Sequence, residues 1–309
     1  MAILPCNIKG ISMAREKKLI VGAINVTMKN HTPERYLELF RDAFKLKTPV
    51  NISGDQYGLL ANLAKLEKAQ KEPGPITGDI FKYTNINNNA QWFNTSTNDF
   101  ASDDEVGKIN IPENLKPNSA RFSYLFFPKQ HLFFYEGYYD GNSFGPTNAE
   151  RFVKRLLNTP DLLEKYGVIN VTHVPDHDKV VDALKLKHKE RIDLMVKRPN
   201  PDNHARAERK VMQRMGAMNV ESFSQTYKAV QDGSIDVDDD LETMAHISAK
   251  NGYFKIKGKD DANKPVAYST DNYPLQDKSY YDPDVELAFE LFSRIANRLK
   301  NIISEQFRR

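Results

Sequence analysis

The chain has few cysteines and no long apolar run, and each shortage excludes a class of protein. Its 309 residues include one cysteine, Cys6, so no internal disulfide can form, which is typical of a reducing cytoplasm. No apolar run approaches the roughly 20 residues that a membrane-spanning helix needs, so no membrane partner is expected. The first 18 residues place apolar residues before basic ones, the reverse of a secretory signal. We therefore predict a cytoplasmic protein whose residues 1–18 form a flexible tail.

The sequence also lacks the short motifs that mark the commonest nucleotide, hydrolase and zinc sites. Its glycines match neither GxxxxGK nor GxGxxG, and GxSxG, HExxH and CxxC do not occur. His173 and His177 are four residues apart, but Pro175 lies between them and removes the shared helical face that a metal site would use. We therefore expect no metal and no cofactor, and the question of whether the protein is an enzyme stays open.

The run from Arg121 to Tyr139, RFSYLFFPKQHLFFYEGYY, is the most apolar and most aromatic part of an otherwise polar chain, whose mean hydropathy is -0.61. Aromatic residues favour strands, and Pro128 followed by two polar residues favours a tight turn. Apolar residues occupy both faces near the middle of each strand. The run therefore predicts a β-hairpin at the centre of a sheet, which makes it first of all a core element.

Helices and further strands are predicted around this hairpin. Thr32 followed by Pro33 starts an amphipathic helix over 33–46. Residues 121–198 follow a β-β-α-β-α-β pattern. We therefore predict an α+β fold with a mixed, largely antiparallel sheet and flanking helices, in a core domain at 19–198.

The chain changes character at the Pro199-Asn200-Pro201 turn, and a mostly helical C-terminal region is predicted at 199–309. The apolar spacing and the capping residues predict four helices there, at 204–215, 220–231, 238–251 and 283–307. The last helix carries an apolar stripe, which consists of Phe289, Phe292, Ile295, Leu299 and Ile302.

Charge is unevenly distributed, although the formal net charge is only +3. Residues 185–214 contain ten basic and four acidic residues, whereas six acidic residues lie between Asp232 and Glu242. Such asymmetry is typical of a nucleic-acid surface. The simpler interpretation is two solvated faces that partly neutralise each other.

Six residues in and just before the predicted helix at 204–215 are candidates for contact with DNA or RNA. Arg206, Lys210 and Arg214 recur on one side of that helix, and such a stripe can bind phosphates through contacts that salt weakens. A helix cap and a turn account for the preceding polar loop equally well. The complete candidate set is Arg198, Asn200, Arg206, Arg209, Lys210 and Arg214.

A second candidate site lies at the tip of the aromatic hairpin. Lys129 and His131 can serve as a cation and a general base for phosphodiester cleavage without a metal. By strand alternation, His131 and Glu136 point to opposite faces and do not form a pair. The alternative interpretation is a hairpin tip that polar residues keep soluble.

Three segments together resemble a bacterial family of unknown function: VGAINVTM followed by HTPERYLELFRDAF, the hairpin FFPKQHLFFYE, and the turn RPNPDN. The resemblance covers about residues 19–285. It implies a cytoplasmic bacterial protein encoded near mobile elements and phage-defence genes, and it favours sensing of nucleic acid or of a phage component. It implies no catalytic residues.

Three functions from different classes follow. The first is a nucleic-acid-associated component of a bacterial anti-phage defence or toxin–antitoxin system, which binds DNA or RNA through its basic helix. The second is a metal-independent endoribonuclease toxin that uses Lys129 and His131. The third is a protein–protein interaction module or homo-oligomer, in which the acidic stretch at 232–242 and the last helix contact a partner.

Overall fold

A computed structural model describes residues 16–69, 71, 73–87, 90–197 and 206–306. Its helices are α1 (Pro33–Leu46), α2 (Asp103–Val106), α3 (Pro146–Leu157), α4 (Pro160–Tyr166), α5 (His177–Leu184), α6 (Arg206–Ala217), α7 (Asp239–Asn251) and α8 (Ala288–Gln306). The first ten strands are β1 (Lys17–Met28), β2 (Val50–Ser53), β3 (Gln56–Leu60), β4 (Ala64–Lys65), β5 (Ile76–Thr84), β6 (Phe93–Asn94), β7 (Asp99–Phe100), β8 (Ala120–Phe127), β9 (Leu132–Tyr139) and β10 (Asn142–Ser143). The remaining strands are β11 (Ile169–His173), β12 (His188–Lys197), β13 (Ser222–Lys228), β14 (Gly252–Lys259), β15 (Pro265–Ser269) and β16 (Gln276–Tyr281).

The larger sheet is organised around β1 and the β8–β9 hairpin. Its strand order is β11-β1-β9-β8-β5-β3-β2, with β10, β16 and β4 attached at the sides. Along one edge β1 pairs with β9, and along the other it pairs first with β16 and then with β11. Every strand pair in the described part of the chain is antiparallel. The predicted α+β class is therefore confirmed.

The hairpin is buried on both faces, as predicted. Its Phe122, Tyr124 and Phe126 face a core shared with α1, α3 and α4. The alternate residues Leu125 and Phe127 face a second core, which α8 closes from the other side. The sheet is therefore the middle layer of three, because alternate side chains of a strand point to opposite faces.

The chain forms a smaller sheet, with the order β13-β12-β14-β15, between β11 and β16 of the larger sheet. We call this smaller sheet and helices α5, α6 and α7 the inserted unit. Helices α5 and α7 cover one face of the smaller sheet. Leu194 and Phe254 on that face belong to a separate apolar core. The chain leaves the larger sheet at Pro175 and returns at Pro274, and these two residues form a β-bridge. The residues that build β16 and α8 therefore come back to a sheet that began near the N-terminus.

Three features of the C-terminal region differ from the sequence-based expectation. The segment predicted as a helix at 220–231 forms β13 instead, and β16 was not predicted. The last helix begins at Ala288 rather than at 283. Its buried stripe includes Leu291, Ala296 and Ile303, whereas Phe289 and Ile302 are exposed. The region thus contains three helices and four strands among its described residues.

The proposed division of the chain at residues 198 and 199 stays a prediction. β12 ends just before that point, and its two neighbours, β13 and β14, follow it. β1 starts at Lys17, so the last two residues of the predicted tail belong to a strand, while residues 1–15 lie outside the described chain. None of the helices described by the structure is both long enough and apolar enough to span a bilayer.

Candidate nucleic-acid interface

Three basic residues of helix α6 are exposed and point away from its buried residues. Glu208 and Met215 are buried, whereas Arg209, Lys210 and Arg214 are exposed. This follows from 3.6 residues per turn, which puts positions 208 and 215 on one side and positions 210 and 214 on another. We call Arg209, Lys210 and Arg214 the basic face of α6. Arg206 begins the same helix, and Arg198 and Asn200 lie outside the described residues.

A buried carboxylate anchors α6 to the rest of the inserted unit. Glu208 accepts a hydrogen bond from Lys250 Nζ at 2.8 Å and another from Asn251 Nδ2 at 2.6 Å, both at the end of α7. By contrast, no described acidic side chain lies within ion-pair distance of Arg209, Lys210 or Arg214. The one carboxylate of α6 is thus engaged on the inner side, and the basic face keeps its positive charge toward solvent.

A cleft of about 830 Å³ lies near the start of α6, because Lys250 and Asn251, which donate hydrogen bonds to Glu208, line it. It lies between α3 and β11 of the larger sheet and the ends of β12 and α7 in the inserted unit. Its volume falls within the range of about 300–1,000 Å³ that is usual for ligand pockets. Five cationic side chains line the cleft, namely Arg151, Lys154, Arg155, Lys197 and Lys250.

Backbone contacts fix two of these cations in place. Arg151 Nη1 donates to the carbonyl oxygen of Ile52, and Arg155 Nη1 donates to that of Asn51, each at 2.7 Å. Lys154 and Lys197 are exposed and form no ion pair within the described residues. The cleft therefore combines two positioned guanidinium groups with two exposed ammonium groups, which suits an extended polyanion.

One carboxylate, Glu150, lines the same cleft and contacts His173. Glu150 Oε2 lies 2.7 Å from His173 Nε2. Burial alone would raise the pKa of Glu150, but the hydrogen bond with His173 and nearby positive charges, among them Lys154 and Arg151, outweigh it and lower the pKa below its ordinary value. The carboxylate is thus hydrogen-bonded to a neighbouring imidazole and also interacts with the charges of Lys154 and Arg151.

The acidic stretch lies away from the basic face. Asp238 caps α7 by accepting a hydrogen bond from the Leu241 amide at 2.7 Å, and the acidic residues that follow fill the first turn of that helix. The Ile235 amide donates to the carbonyl oxygen of Lys189, at the start of β12. Helix α6 packs at the other end of β12, where Met215 and Val196 belong to one apolar cluster. The acidic stretch and α6 are therefore at opposite ends of β12.

At the hairpin tip, the structure places a second histidine beside the candidate His131. The ring centroids of His31 and His131 are 4.7 Å apart, and His131 also contacts the ring of Tyr36 at 4.9 Å. Lys129 is exposed in the turn, and His131 has a left-handed φ of 59°. His31 was not predicted as a partner of His131, because a hundred residues separate the two histidines in the chain.

Among the described histidines, His173 and His177 do not share a site. His173 contacts Glu150, whereas His177 contacts the ring of His246 at a centroid distance of 4.8 Å. Across the part of the chain that the structure describes, no group of three or more metal-binding side chains is positioned to hold an ion.

Comparison with known proteins assigns the chain to a family whose function is not known. The model of a Domain of unknown function (DUF4747) matches residues 17–297, which is most of the chain. The chain belongs to the DUF4747 family. A search of the curated proteins finds no match. Membership of an uncharacterised DUF4747 family agrees with the resemblance noted above, whereas the link to mobile elements and phage defence stays a prediction.

The cations of the cleft were missed by sequence reasoning. Arg151, Lys154 and Arg155 form the polar side of α3, and the β-β-α-β-α-β pattern predicted a helix there without assigning these residues a role. The only signal in the sequence was that three of five consecutive residues carry positive charge. Their proximity to Lys197 depends on how the inserted unit sits against β11, and no local pattern encodes that arrangement.

Proposed function

We propose that the protein binds DNA or RNA through the basic face of α6 and the adjoining cleft. The observation that carries this proposal is that Arg209, Lys210 and Arg214 are exposed and make no ion pair with any described residue. A phosphate can bind such side chains without displacing a carboxylate of the same chain, and each contact releases a counterion. The cleft extends the same positive charge toward α3.

The open face of the smaller sheet, which α5 and α7 do not cover, is a less favourable site for phosphate. It is also rich in basic residues, but acidic neighbours engage several of them. Arg191 Nε lies 2.8 Å from Asp193 Oδ2, and Lys255 Nζ lies 3.2 Å from Asp271 Oδ2. A phosphate would have to compete with these carboxylates, so the basic face of α6 is the more favourable site.

Charge reversal distinguishes the two surfaces. In one variant the basic face of α6 is reversed by Arg209→Glu, Lys210→Glu and Arg214→Glu. The matched control makes the same change of charge on the open sheet face, by Lys255→Glu, Lys257→Glu and Lys259→Glu. Binding is measured by fluorescence anisotropy with labelled single- and double-stranded DNA and RNA. We expect the first variant to lose binding and the control to retain most of it.

Equal loss in both variants would show that net charge, and not the basic face, determines binding. Full binding by the first variant would refute the proposed interface. Circular dichroism before binding checks that both variants are folded, since all six positions are at the surface and none contributes to an apolar core.

The cellular role that we attach to this activity is a component of a bacterial anti-phage defence or toxin–antitoxin system. It rests on the sequence resemblance alone. Plaque counts on bacteria that express the chain test it: we expect fewer plaques with the parent than with the charge-reversed α6 variant. Identical counts with and without the parent chain would contradict the role.

A second candidate function, a metal-independent endoribonuclease, is favoured by the contact between His31 and His131. Two imidazoles at this separation can act as the general base and the general acid of phosphodiester cleavage, and the nearby Lys129 can stabilise the developing charge. The resulting chemistry needs no metal, so it should persist when chelator is present.

Cleavage of a fluorogenic RNA in the presence of chelator tests this function. We expect activity in the parent and a loss of about 100-fold or more in both His31→Ala and His131→Ala, which is the usual contribution of a general acid or base. His188→Ala is the control, because His188 is distant from the hairpin tip in the fold. Activity that survives loss of both histidines would exclude this site.

A further inference from the structure

Strand β13 ends the smaller sheet, and its outer edge pairs with no strand in the described chain. Proteins usually protect such an edge with proline, a bulge or an inward-facing charge. The sequence of β13, SFSQTYK, contains no proline, its only charged residue is the exposed Lys228 at its end, and the strand pairs with β12 without a register shift. The edge is therefore regular and competent to pair with another strand.

An apolar groove runs along this edge. The groove of about 1150 Å³ is bounded by α6, β13 and α7, and we call it the edge groove. Met218 and Tyr227, at 60% and 36% exposure, are among its apolar residues. Ser224 also lines the edge groove. Because the side chain of Ser224 points to the open face of the sheet, the groove extends around the outer edge of β13. Exposed apolar surface of this kind is typical of an interaction site.

The two ends of the edge groove carry opposite charges. At the end near Val196, Lys210 and Arg214 of α6 line it. At the end near Lys189, Asp236 and Asp240 line it. Along β13, positive charge therefore lies beside the first residues of the strand and negative charge beside the last.

We propose that a second copy of this chain occupies the edge, so that two β13 strands pair antiparallel about Gln225. This pairing opposes Phe223 to Tyr227 of the partner subunit, an aromatic pair that stabilises sheets. It also opposes Ser224 to Thr226 of the partner subunit, and these two side chains can hydrogen-bond. The result is one continuous sheet of eight strands.

The charges of the edge groove support a second copy over an unrelated partner. A twofold axis reverses the direction of β13, so the basic end of each groove faces the acidic end of the other. The interface is thus self-complementary in hydrogen bonding, in aromatic pairing and in charge. A parallel arrangement would instead place like charges together.

Light scattering coupled to size-exclusion chromatography tests the proposal on the full chain. We expect a species of twice the 35.4 kDa chain mass at high concentration, which dissociates on dilution. The Phe223–Tyr227 pair occurs twice in a symmetric dimer, and Tyr227→Lys removes both copies. We expect this change to raise the dissociation constant of the dimer by about 2- to 30-fold. The control is Tyr280→Lys, because Tyr280 is an exposed tyrosine of β16, away from this edge.

Position 222 provides a pair of variants with opposite outcomes, because the proposed register opposes Ser222 to Lys228 of the partner subunit. Ser222→Glu should tighten the dimer, and Ser222→Lys should weaken it. Tightening cannot result from misfolding, so this result would support the register directly. A mass of one chain at all concentrations, or a dimer that neither Tyr227→Lys nor the two Ser222 variants affect, would overturn the proposal.

Discussion

The salt dependence of binding offers a quantitative test of the basic face of α6. Neutralising Arg209, Lys210 and Arg214 to Gln removes three cations that the structure leaves exposed and without a described acidic partner. Each cation that neutralises one phosphate contributes about 0.9 to the slope of log K against log salt on duplex DNA, and about 0.7 on a single strand. The triple variant should therefore lose about 2.7 in slope on duplex, or about 2.1 on a single strand.

The same slope gives the expected change in affinity. When salt rises from about 50 to about 200 mM, these three contacts alone account for a loss of about 40-fold on duplex and about 20-fold on a single strand. Fluorescence anisotropy titrations at four or more salt concentrations measure the slope for parent and variant. A variant whose affinity falls while its slope equals that of the parent would refute the reasoning, because the lost contacts would then not be to phosphates.

Two further predictions concern stability. Phe292 is fully buried in the core that α8 forms with the larger sheet, whereas Phe289 on the same helix is 39% exposed. Phe292→Ala should therefore cost about 3–5 kcal/mol and lower the urea midpoint by about 1 to 1.7 M, while Phe289→Ala should cost about 1 kcal/mol or less. Equal shifts of the urea midpoint in the two variants would contradict the packing of α8. Glu136 is 2% exposed, and burial raises its pKa despite a hydrogen bond from the Ser123 amide. The protonated form thus stabilises the fold below the ordinary pKa of 4.5, and this contribution is lost as pH rises through the folded-state pKa. Glu136→Gln should therefore melt above the parent at about pH 8 and match it at about pH 4.5, and a constant difference between these pH values would contradict the raised pKa.

The elements that sequence reasoning identified correctly depend on local signals. The Thr32 side chain accepts from the Arg35 amide at 3.2 Å at the start of α1, and Asp176 caps α5 in the same way. The β8–β9 hairpin was recognised because its own residues are apolar on both faces, which only a central position in a sheet can satisfy. In each case the residues that fix the structure are neighbours in the chain.

The failures occurred where tertiary packing outweighed local preference. β13 was predicted as a helix, although Phe223, Gln225 and Tyr227 alternate with exposed polar residues as in a half-buried strand. On α8, Phe289 and Ile303 fit the helical spacing about equally well. The position of the helix over the sheet buries Ile303 and leaves Phe289 exposed. Helical spacing identifies the apolar stripe of a helix, but it does not show which residues at the margins of that stripe the sheet will bury.

The candidate site was predictable only in part. The basic face of α6 could be inferred from the helical spacing of its residues, because that inference needs no distant contact. The cleft required Lys154 and Lys197 to meet across two sheets, and the hairpin tip required His31 to meet His131. These contacts join residues that are far apart in the chain, so a single sequence contains no periodic pattern that reveals them.

The discontinuity of the larger sheet has a consequence for the newly synthesised chain. β16 and α8, which complete this sheet and cover its second face, end about 140 and about 165 residues after β9, respectively. At about 5–20 residues per second, translation leaves one face of the hairpin uncovered for roughly 8–35 s. That face carries Leu125, Phe127, Leu132 and Phe134, all of which the finished protein buries. The nascent chain is therefore expected to need shielding from aggregation until the ribosome has delivered its final helix.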